Sequence, residues 1–214
     1  MKFEKFIKIA EGLPVIDAEI LLAGVSDPNP IKVQISRWKK AGKLIQLKRG
    51  LYLFSKPYRK VEIYEPHIAS ILKKPSYISL EKAFEYHDLI PEAVTVYTSV
   101  TTKRPDRFVS EIGDFDYRHI KPALFWGYEP VSLHNQTAFI ASPEKALLDF
   151  FYIKKIDVSN EYLDELRLQN LEEIDLDKLI EYAERFKKPG MRRIAELLKK
   201  YIIFKKKEGA GNES

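Results

Sequence analysis

Cysteine is absent from all 214 residues of the sequence. Disulfides and thiolate metal sites are therefore excluded, because both need cysteine sulfur. No apolar run approaches the roughly 18 residues of a membrane helix, and residues 1–5 lack the apolar stretch of a secretion signal. These absences predict a cytoplasmic protein that has no membrane partner.

Glycine is also scarce, with nine residues in the chain. The sequence has no phosphate-binding loop, no dinucleotide fingerprint and no GxSxG turn. The histidines lack metal-ligand spacing and are most simply hydrogen-bonded structural residues; they are His67, His87, His119 and His134. We therefore expect no cofactor, no metal and no catalytic residue.

Charge is unevenly distributed along the chain, although the net charge is only +5. Residues 1–60 contain 13 Lys/Arg and 5 Asp/Glu, residues 61–184 contain 13 and 23, and residues 185–207 contain 10 and 1. This basic, acidic, basic order indicates that the two ends bind a polyanion.

The most informative stretch lies between Ile31 and Lys60, which contains ten Lys/Arg and no acidic residue. An acidic side chain there would repel phosphate, so its absence favours contact with nucleic acid. A solvated basic face and a protein–protein module are the alternative interpretations.

Periodicity and capping residues predict three helices before and within this stretch. The first covers residues 2–11, the second covers Ala18–Ala23 with Asp17 as N-cap, and the third follows the turn at residues 27–30. Two strands then flank Lys48-Arg49-Gly50, and they are Leu44–Leu47 and Leu51–Phe54. Three helices followed by a two-stranded hairpin predict a winged helix-turn-helix.

The third helix has two contrasting faces at 100° per residue. Its inner face contains Ile31, Ile35, Trp38 and Gly42. The opposite face fits the major groove, where side chains reach base edges, and the hairpin tip fits the adjacent backbone or minor groove. We therefore predict that the DNA-binding residues are Lys32, Val33, Ser36, Arg37 and Lys40 on the helix, and Lys48 and Arg49 in the hairpin.

Beyond residue 77 the pattern predicts an α+β domain with a mostly antiparallel sheet. Ser79, Ser142 and Asp175 are predicted helix N-caps. Helices follow residue 157, and Lys205–Ser214 is expected to be a frayed tail. The predicted domains are a winged helix (1–60), an α+β domain (61–157) and a C-terminal helical region with a basic tail (158–214).

A second basic group lies on the last predicted helix, away from its apolar side. It consists of Arg192, Arg193, Lys199 and Lys200. We predict that this group makes a secondary contact with the same DNA. The rival interpretation is that it screens the acidic domain of the same molecule or keeps the protein in solution.

One cluster of charged residues has the chemistry of a nuclease. It consists of Glu111, Asp114, Asp116, Arg118, His119 and Lys121. Metal-dependent nucleases use carboxylates and a lysine, so a nucleic-acid enzyme targeted by a winged helix is an alternative. The polarity of a turn at Gly113 explains the same residues more simply.

Several stretches resemble the AbiEi family, the antitoxins of type IV abortive-infection toxin-antitoxin systems. They are KRGLYLF (48–54), YISLEKAFEYHDLIPEAV (77–94), VYTSVTTKRPDRF (96–108), GDFDYRHIKPALFWGYE (113–129) and SPEKALLDFFYI (142–153). The resemblance implies a winged-helix domain joined to an antitoxin domain. It also implies a repressor that binds repeats in its own promoter and opposes a nucleotidyltransferase toxin without forming a stable complex with it.

The sequence thus predicts a DNA-binding transcriptional repressor that acts as a type IV antitoxin and has double-stranded DNA as its partner. A nuclease-like enzyme and a winged-helix adaptor that binds proteins are the two alternatives.

Overall fold

The computed structural model describes residues 2–156 and 158–211. The chain has a mixed α+β architecture, as predicted. Its helices are α1 (Phe3–Ala10), α2 (Ala18–Leu22), α3 (Asn29–Lys40), α4 (Glu65–Leu72), α5 (Leu80–Tyr86), α6 (Pro143–Lys154), α7 (Asn160–Glu165), α8 (Leu176–Arg185) and α9 (Pro189–Gly211). Its strands are β1 (Ile16–Asp17), β2 (Leu44–Lys48), β3 (Leu51–Phe54), β4 (Ser76–Ile78), β5 (Val96–Thr101), β6 (Asp106–Ser110), β7 (Gly113–His119), β8 (Tyr128–Leu133) and β9 (Gln136–Ala141).

Residues 2–58, here called the N-terminal unit, fold around an aromatic cluster. Three helices pack on a small antiparallel sheet of order β1-β3-β2. The ring of Phe6 lies 4.7 Å from that of Trp38 and 5.6 Å from that of Phe54. Phe3 closes the cluster, 5.2 Å from Trp38. This packing fixes which side of α3 faces inward.

Residues 65–211, here called the larger unit, are built on a six-stranded sheet of order β6-β7-β5-β4-β9-β8. The β5–β7 and β4–β9 pairs are parallel and the other three pairs are antiparallel. The sheet is therefore mixed, with antiparallel pairs in the majority, as predicted. The strands of the parallel pairs are not consecutive in the chain: β6 lies between β5 and β7, and a long crossover joins β4 to β9.

The two units meet at the β2–β3 hairpin. Leu47, Leu51 and Leu53 of the hairpin belong to the core cluster of the larger unit, whereas Phe54 belongs to the aromatic cluster. The hairpin therefore has a packed face as well as an exposed tip. The division of the chain into domains at residues 60 and 157 stays a prediction.

A buried charged network lies at the start of α6. Lys145 and Asp149 are both fully buried and form an ion pair one helical turn apart. Asp149 also accepts hydrogen bonds from the hydroxyls of Tyr77 (2.8 Å) and Ser79 (3.0 Å). Burial lowers the pKa of Lys145 and raises that of Asp149, while the contact between the two groups opposes both shifts.

The network explains why one predicted cap is wrong. Ser79 precedes α5 but its side chain makes no capping hydrogen bond, because its hydroxyl donates to Asp149. The other three predicted caps are confirmed. Asp17 accepts from the Glu19 amide at 2.8 Å, Ser142 accepts from the Lys145 amide at 3.3 Å, and Asp175 accepts from two amides of α8 at 3.0 Å.

The C-terminal helices pack on the same core as the sheet. Glu144, which is 2% exposed, forms an ion pair with Lys178 of α8 at 3.0 Å and accepts the Asp175 amide at 3.1 Å. The prediction of a frayed tail from Lys205 is wrong for the residues up to Gly211. Helix α9 continues to that residue, and Lys205 forms an ion pair with Asp164 at 3.1 Å. Residues 212–214 lie outside the described part of the chain.

Candidate nucleic-acid interface

Helix α3 presents one side to the core and the other to solvent. The Asp27 side chain accepts a hydrogen bond from the Asn29 amide at 3.0 Å, and the Pro30 ring occupies the first turn, where its missing N–H costs nothing. Ile35 and Trp38 are buried. All five residues predicted to face DNA from this helix are exposed, namely Lys32, Val33, Ser36, Arg37 and Lys40.

The two basic residues of the hairpin have different environments. Arg49 is exposed beside Gly50, whose φ of +86° permits the turn. Lys48 points the other way, and its Nζ donates to the carbonyl of Leu72 at the end of α4. Burial and, after it, the neighbouring Lys73 lower the pKa of Lys48. Lys48 therefore joins the hairpin to the larger unit, while Arg49 extends into solvent.

A cleft of about 760 Å³ separates α3 from the hairpin tip. Lys32 lines one side of it, and Arg49 and Tyr52 line the other. The exposed Glu19 of α2 also lines the cleft. The sequence analysis missed this acid because Glu19 lies outside the acid-free stretch and is brought to it only by the fold.

The C-terminal basic group is largely matched with acids of its own region. Arg192 contacts Glu196 at 3.1 Å and Glu184 at 3.6 Å. Lys199 lies 3.3 Å from Asp177 of α8. Arg193 and Lys200 are exposed on α9. These exposed pairs are weak, of the order of 1 kcal/mol or less, so the three acids reduce the local positive charge without holding the basic side chains firmly.

The nuclease-like carboxylates also form ion pairs. Asp114 accepts from Arg107 at 2.9 Å, and Asp116 lies 2.7 Å from Arg118. In the described part of the chain, no three His, Asp or Glu side chains are grouped so that they could hold a metal ion. Each of these two carboxylates therefore forms an ion pair with an arginine of β6 or β7.

Three of the histidines have the structural role predicted for them. Ring nitrogens of His67, His87 and His119 lie within 2.6–3.0 Å of the carbonyl oxygens of Thr137, Ala141 and Lys103. The fourth, His134, is at a hairpin turn, 3.8 Å from the Glu62 carboxylate.

Comparison with known proteins adds no identification. No protein-family description matches the chain, and no curated protein sequence matches it. The resemblance to the AbiEi family therefore stays a prediction that rests on the stretches quoted above. Between residues 2 and 211, apart from residue 157, no helix has both the length and the apolarity needed to cross a bilayer.

Proposed function

We propose that this chain is a cytoplasmic DNA-binding transcriptional repressor whose first 60 residues form a winged helix-turn-helix. The observation that supports this proposal best is the outer face of α3, where the exposed positions include several basic residues and no acidic one. The element order of the N-terminal unit, α1-β1-α2-α3-β2-β3, fits the same architecture.

In the proposed complex, α3 enters the major groove. Arg37 has the fork geometry to donate two hydrogen bonds to a guanine, and Val33, 49% exposed, offers an apolar contact for a thymine methyl group. Lys32, Ser36 and Lys40 then reach phosphates or base edges. Arg49 contacts a phosphate or the minor groove from the hairpin tip.

We assign different roles to the remaining predicted residues. Lys48 supports the hairpin through its contact with Leu72. Arg193 and Lys200 are the members of the C-terminal group that make the secondary DNA contact, because Arg192 and Lys199 already have acidic neighbours.

The antitoxin role rests on the family resemblance. Under this proposal, the repressor binds repeats in its own promoter, and the larger unit opposes a nucleotidyltransferase toxin without forming a stable complex with it. The direct test is co-expression with the neighbouring gene, provided that this gene encodes a nucleotidyltransferase. Growth that depends on the present chain supports the role, and growth arrest that the chain does not relieve contradicts it.

The DNA-binding proposal is tested with Arg37→Ala and promoter DNA. Loss of a bidentate base contact should weaken specific binding by about 1–3 kcal/mol and relax the choice of base at one position. Lys8→Ala is the matched control, because it removes one exposed positive charge from α1 and leaves α3 intact. Equal binding by wild type and Arg37→Ala would show that this face of α3 does not read DNA.

Two measurements separate the rival functions. A nuclease would lose activity when Asp114 and Asp116 are replaced by asparagine, whereas a repressor has no such activity to lose. A protein-binding adaptor would show no salt-dependent affinity for upstream DNA.

A further inference from the structure

A cleft of about 690 Å³ opens on the larger unit, away from α3 and the hairpin. One wall is the face of the sheet formed by β5 and β7, and the other is formed by α5 and by the ends of α6 and α7. The partly exposed Ile90, Val94, Val96 and Leu166 supply apolar surface, and the buried Leu80 and Phe84 lie beneath it. Its volume lies in the range, roughly 300–1,000 Å³, of sites that enclose small molecules.

Thr98 contributes a hydroxyl to this cleft. Thr98 is 8% exposed and lines the wall formed by β5. None of the side-chain hydrogen bonds within residues 2–156 and 158–211 involves this hydroxyl. Among these residues the buried polar side-chain atom without a partner is Ser99 Oγ, so the Thr98 hydroxyl is reached by solvent and can bond a ligand in the cleft.

The backbone of the opposite wall is strained at the same place. Leu80 has a φ of +55°, the left-handed region that a leucine rarely adopts. Such residues persist where the surrounding structure requires them and are common at binding sites. Leu80 is the first residue of α5 and lies on the side of this helix that faces the cleft.

The lining of the cleft carries charges of both signs, namely Glu81, Glu92, Asp116 and Glu165 and the basic Arg107, Arg118 and Lys154. On the sheet wall Asp116 lies 2.7 Å from Arg118, and on the helical wall Glu81 contacts Lys154. A purely anionic or purely cationic ligand would meet one repulsive partner in each pair. A ligand that carries both charges can replace one partner in each ion pair, because exposed ion pairs of this kind are weak.

We propose that the cleft binds a small apolar zwitterion, with the chemistry of an apolar amino acid or a short peptide with free ends. Arg118 and the Thr98 hydroxyl take the carboxylate, and Glu81 and Asp116 take the ammonium group. The apolar surface described above takes the apolar side chain. This site is independent of the DNA-binding proposal, because none of its residues belongs to the N-terminal unit.

Calorimetric titration of the full chain, without DNA, tests the proposal. The probes are L-leucine and L-leucyl-L-leucine, which distinguish an amino-acid site from a peptide site. N-acetyl-L-leucine and L-leucinamide, and the same blocked forms of the dipeptide, each lack one charge. Saturable binding of at least one zwitterion is expected, with about 10-fold or greater weakening when either end is blocked, as for loss of a charge-assisted hydrogen bond.

Three variants locate the binding in this cleft. Thr98→Val keeps the side-chain shape and should weaken binding about 3- to 10-fold, the effect of one lost hydrogen bond. Arg118→Gln, at an exposed position, should weaken it about 10-fold or more. Arg104→Gln removes an exposed charge outside the cleft and should have no effect. Circular dichroism verifies that each variant is folded.

Three results would overturn the proposal. One is the absence of binding by both zwitterions at millimolar concentration. Another is equal affinity for a zwitterion and its blocked form, which would indicate a site for a single charge. The third is binding that Thr98→Val and Arg118→Gln leave unchanged, which would place the ligand elsewhere.

Discussion

The N-terminal unit and the larger unit use polar residues in opposite ways. Within the described residues, every buried polar or charged side chain lies between Ser70 and Asp149, in the larger unit. The core of the N-terminal unit is an apolar cluster around Trp38, and its charges are on the surface. The smaller unit therefore leaves its charges at the surface, whereas the larger unit uses some of its charges to fix its own packing.

The hairpin shows both uses in consecutive residues. Lys48 is directed to the larger unit and Arg49 to solvent. Variants that remove either a surface charge or a charge involved in packing therefore test whether the two units differ in this way.

The largest effect is expected from Asp149→Ala. This change leaves the buried Lys145 without its ionic partner, and breaking a buried pair in this way costs about 3–5 kcal/mol. The free energy of unfolding in urea is the measurement. Asp114→Ala is the matched control, since the exposed pair that it breaks with Arg107 is worth about 1 kcal/mol or less.

A second variant tests the interpretation of that loss. Replacing both partners, Lys145→Met with Asp149→Leu, removes both charges and should recover much of the stability. A double variant as unstable as Asp149→Ala would show that the charges themselves are required, and equal losses for Asp149→Ala and Asp114→Ala would contradict the buried network.

The next largest effect is expected from alkaline pH, which should lower the free energy of unfolding of the larger unit in particular. Burial raises the pKa of Tyr77 and of Tyr117, because it disfavours the phenolate. Above about pH 10 the unfolded chain loses these protons and the folded chain keeps them, so the stability that is present below pH 10 falls as pH rises. Each group contributes up to about 1.4 kcal/mol per pH unit.

The two tryptophans allow this effect to be assigned to a unit. Trp38 lies in the core of the N-terminal unit and Trp126 in the larger unit, so Trp38→Phe leaves a reporter in the larger unit only. Urea unfolding of this variant between pH 8 and 11, followed by Trp126 fluorescence, should show the fall. Constant stability over this range would mean that the two tyrosines ionise as easily in the folded chain as in the unfolded one.

Lys48→Ala and Arg49→Ala should have opposite consequences. Removing Arg49 should lower the slope of log affinity against log salt by about 0.9, the value for one neutralised phosphate, and leave stability unchanged. Removing Lys48 should lower the free energy of unfolding by about 1 kcal/mol, because the Leu72 carbonyl loses its donor, and leave the slope unchanged. The reverse pattern would mean that Lys48 is the residue that reaches the phosphate.

Glu19→Gln should have the smallest effect, with a sign opposite to that of the other DNA-binding variants. The Glu19 carboxylate lies in the cleft between α3 and Arg49, where it repels phosphate. The variant should bind promoter DNA slightly more tightly, by less than about 1 kcal/mol, in a fluorescence anisotropy titration. Weaker binding would instead show that Glu19 accepts a hydrogen bond from a base.

The elements with strong local signals were predictable from the sequence, and the exposed face of α3 was predictable with them. Helix α3 has a proline at its start and apolar residues at helical spacing, and the capping side chains of Ser142 and Asp175 are confirmed. Strands β1 and β4 and helix α4 were missed. Strands β1 and β4 have two and three residues, too few to show an alternating pattern, and α4 begins without a capping side chain.

Other features depend on contacts that no local pattern contains. Lys145 occupies a position that would suit an exposed face, but α6 is enclosed by the sheet and the C-terminal helices, so its lysine is buried against Asp149. The direction of Lys48 depends on Leu72, 24 residues away. The approach of Glu19 to α3 and the mixed order of the sheet are likewise results of tertiary folding.

The central claim is that the exposed face of α3 recognises a specific DNA sequence. The most direct measurement compares the affinity of the full chain for the DNA upstream of its own gene with its affinity for shuffled DNA of the same length, over a series of salt concentrations. The account predicts a preference of about 10³-fold or more for the upstream DNA near physiological salt, with an affinity that falls as salt rises. Equal affinity for the two duplexes, or no salt-dependent binding to either, would contradict it.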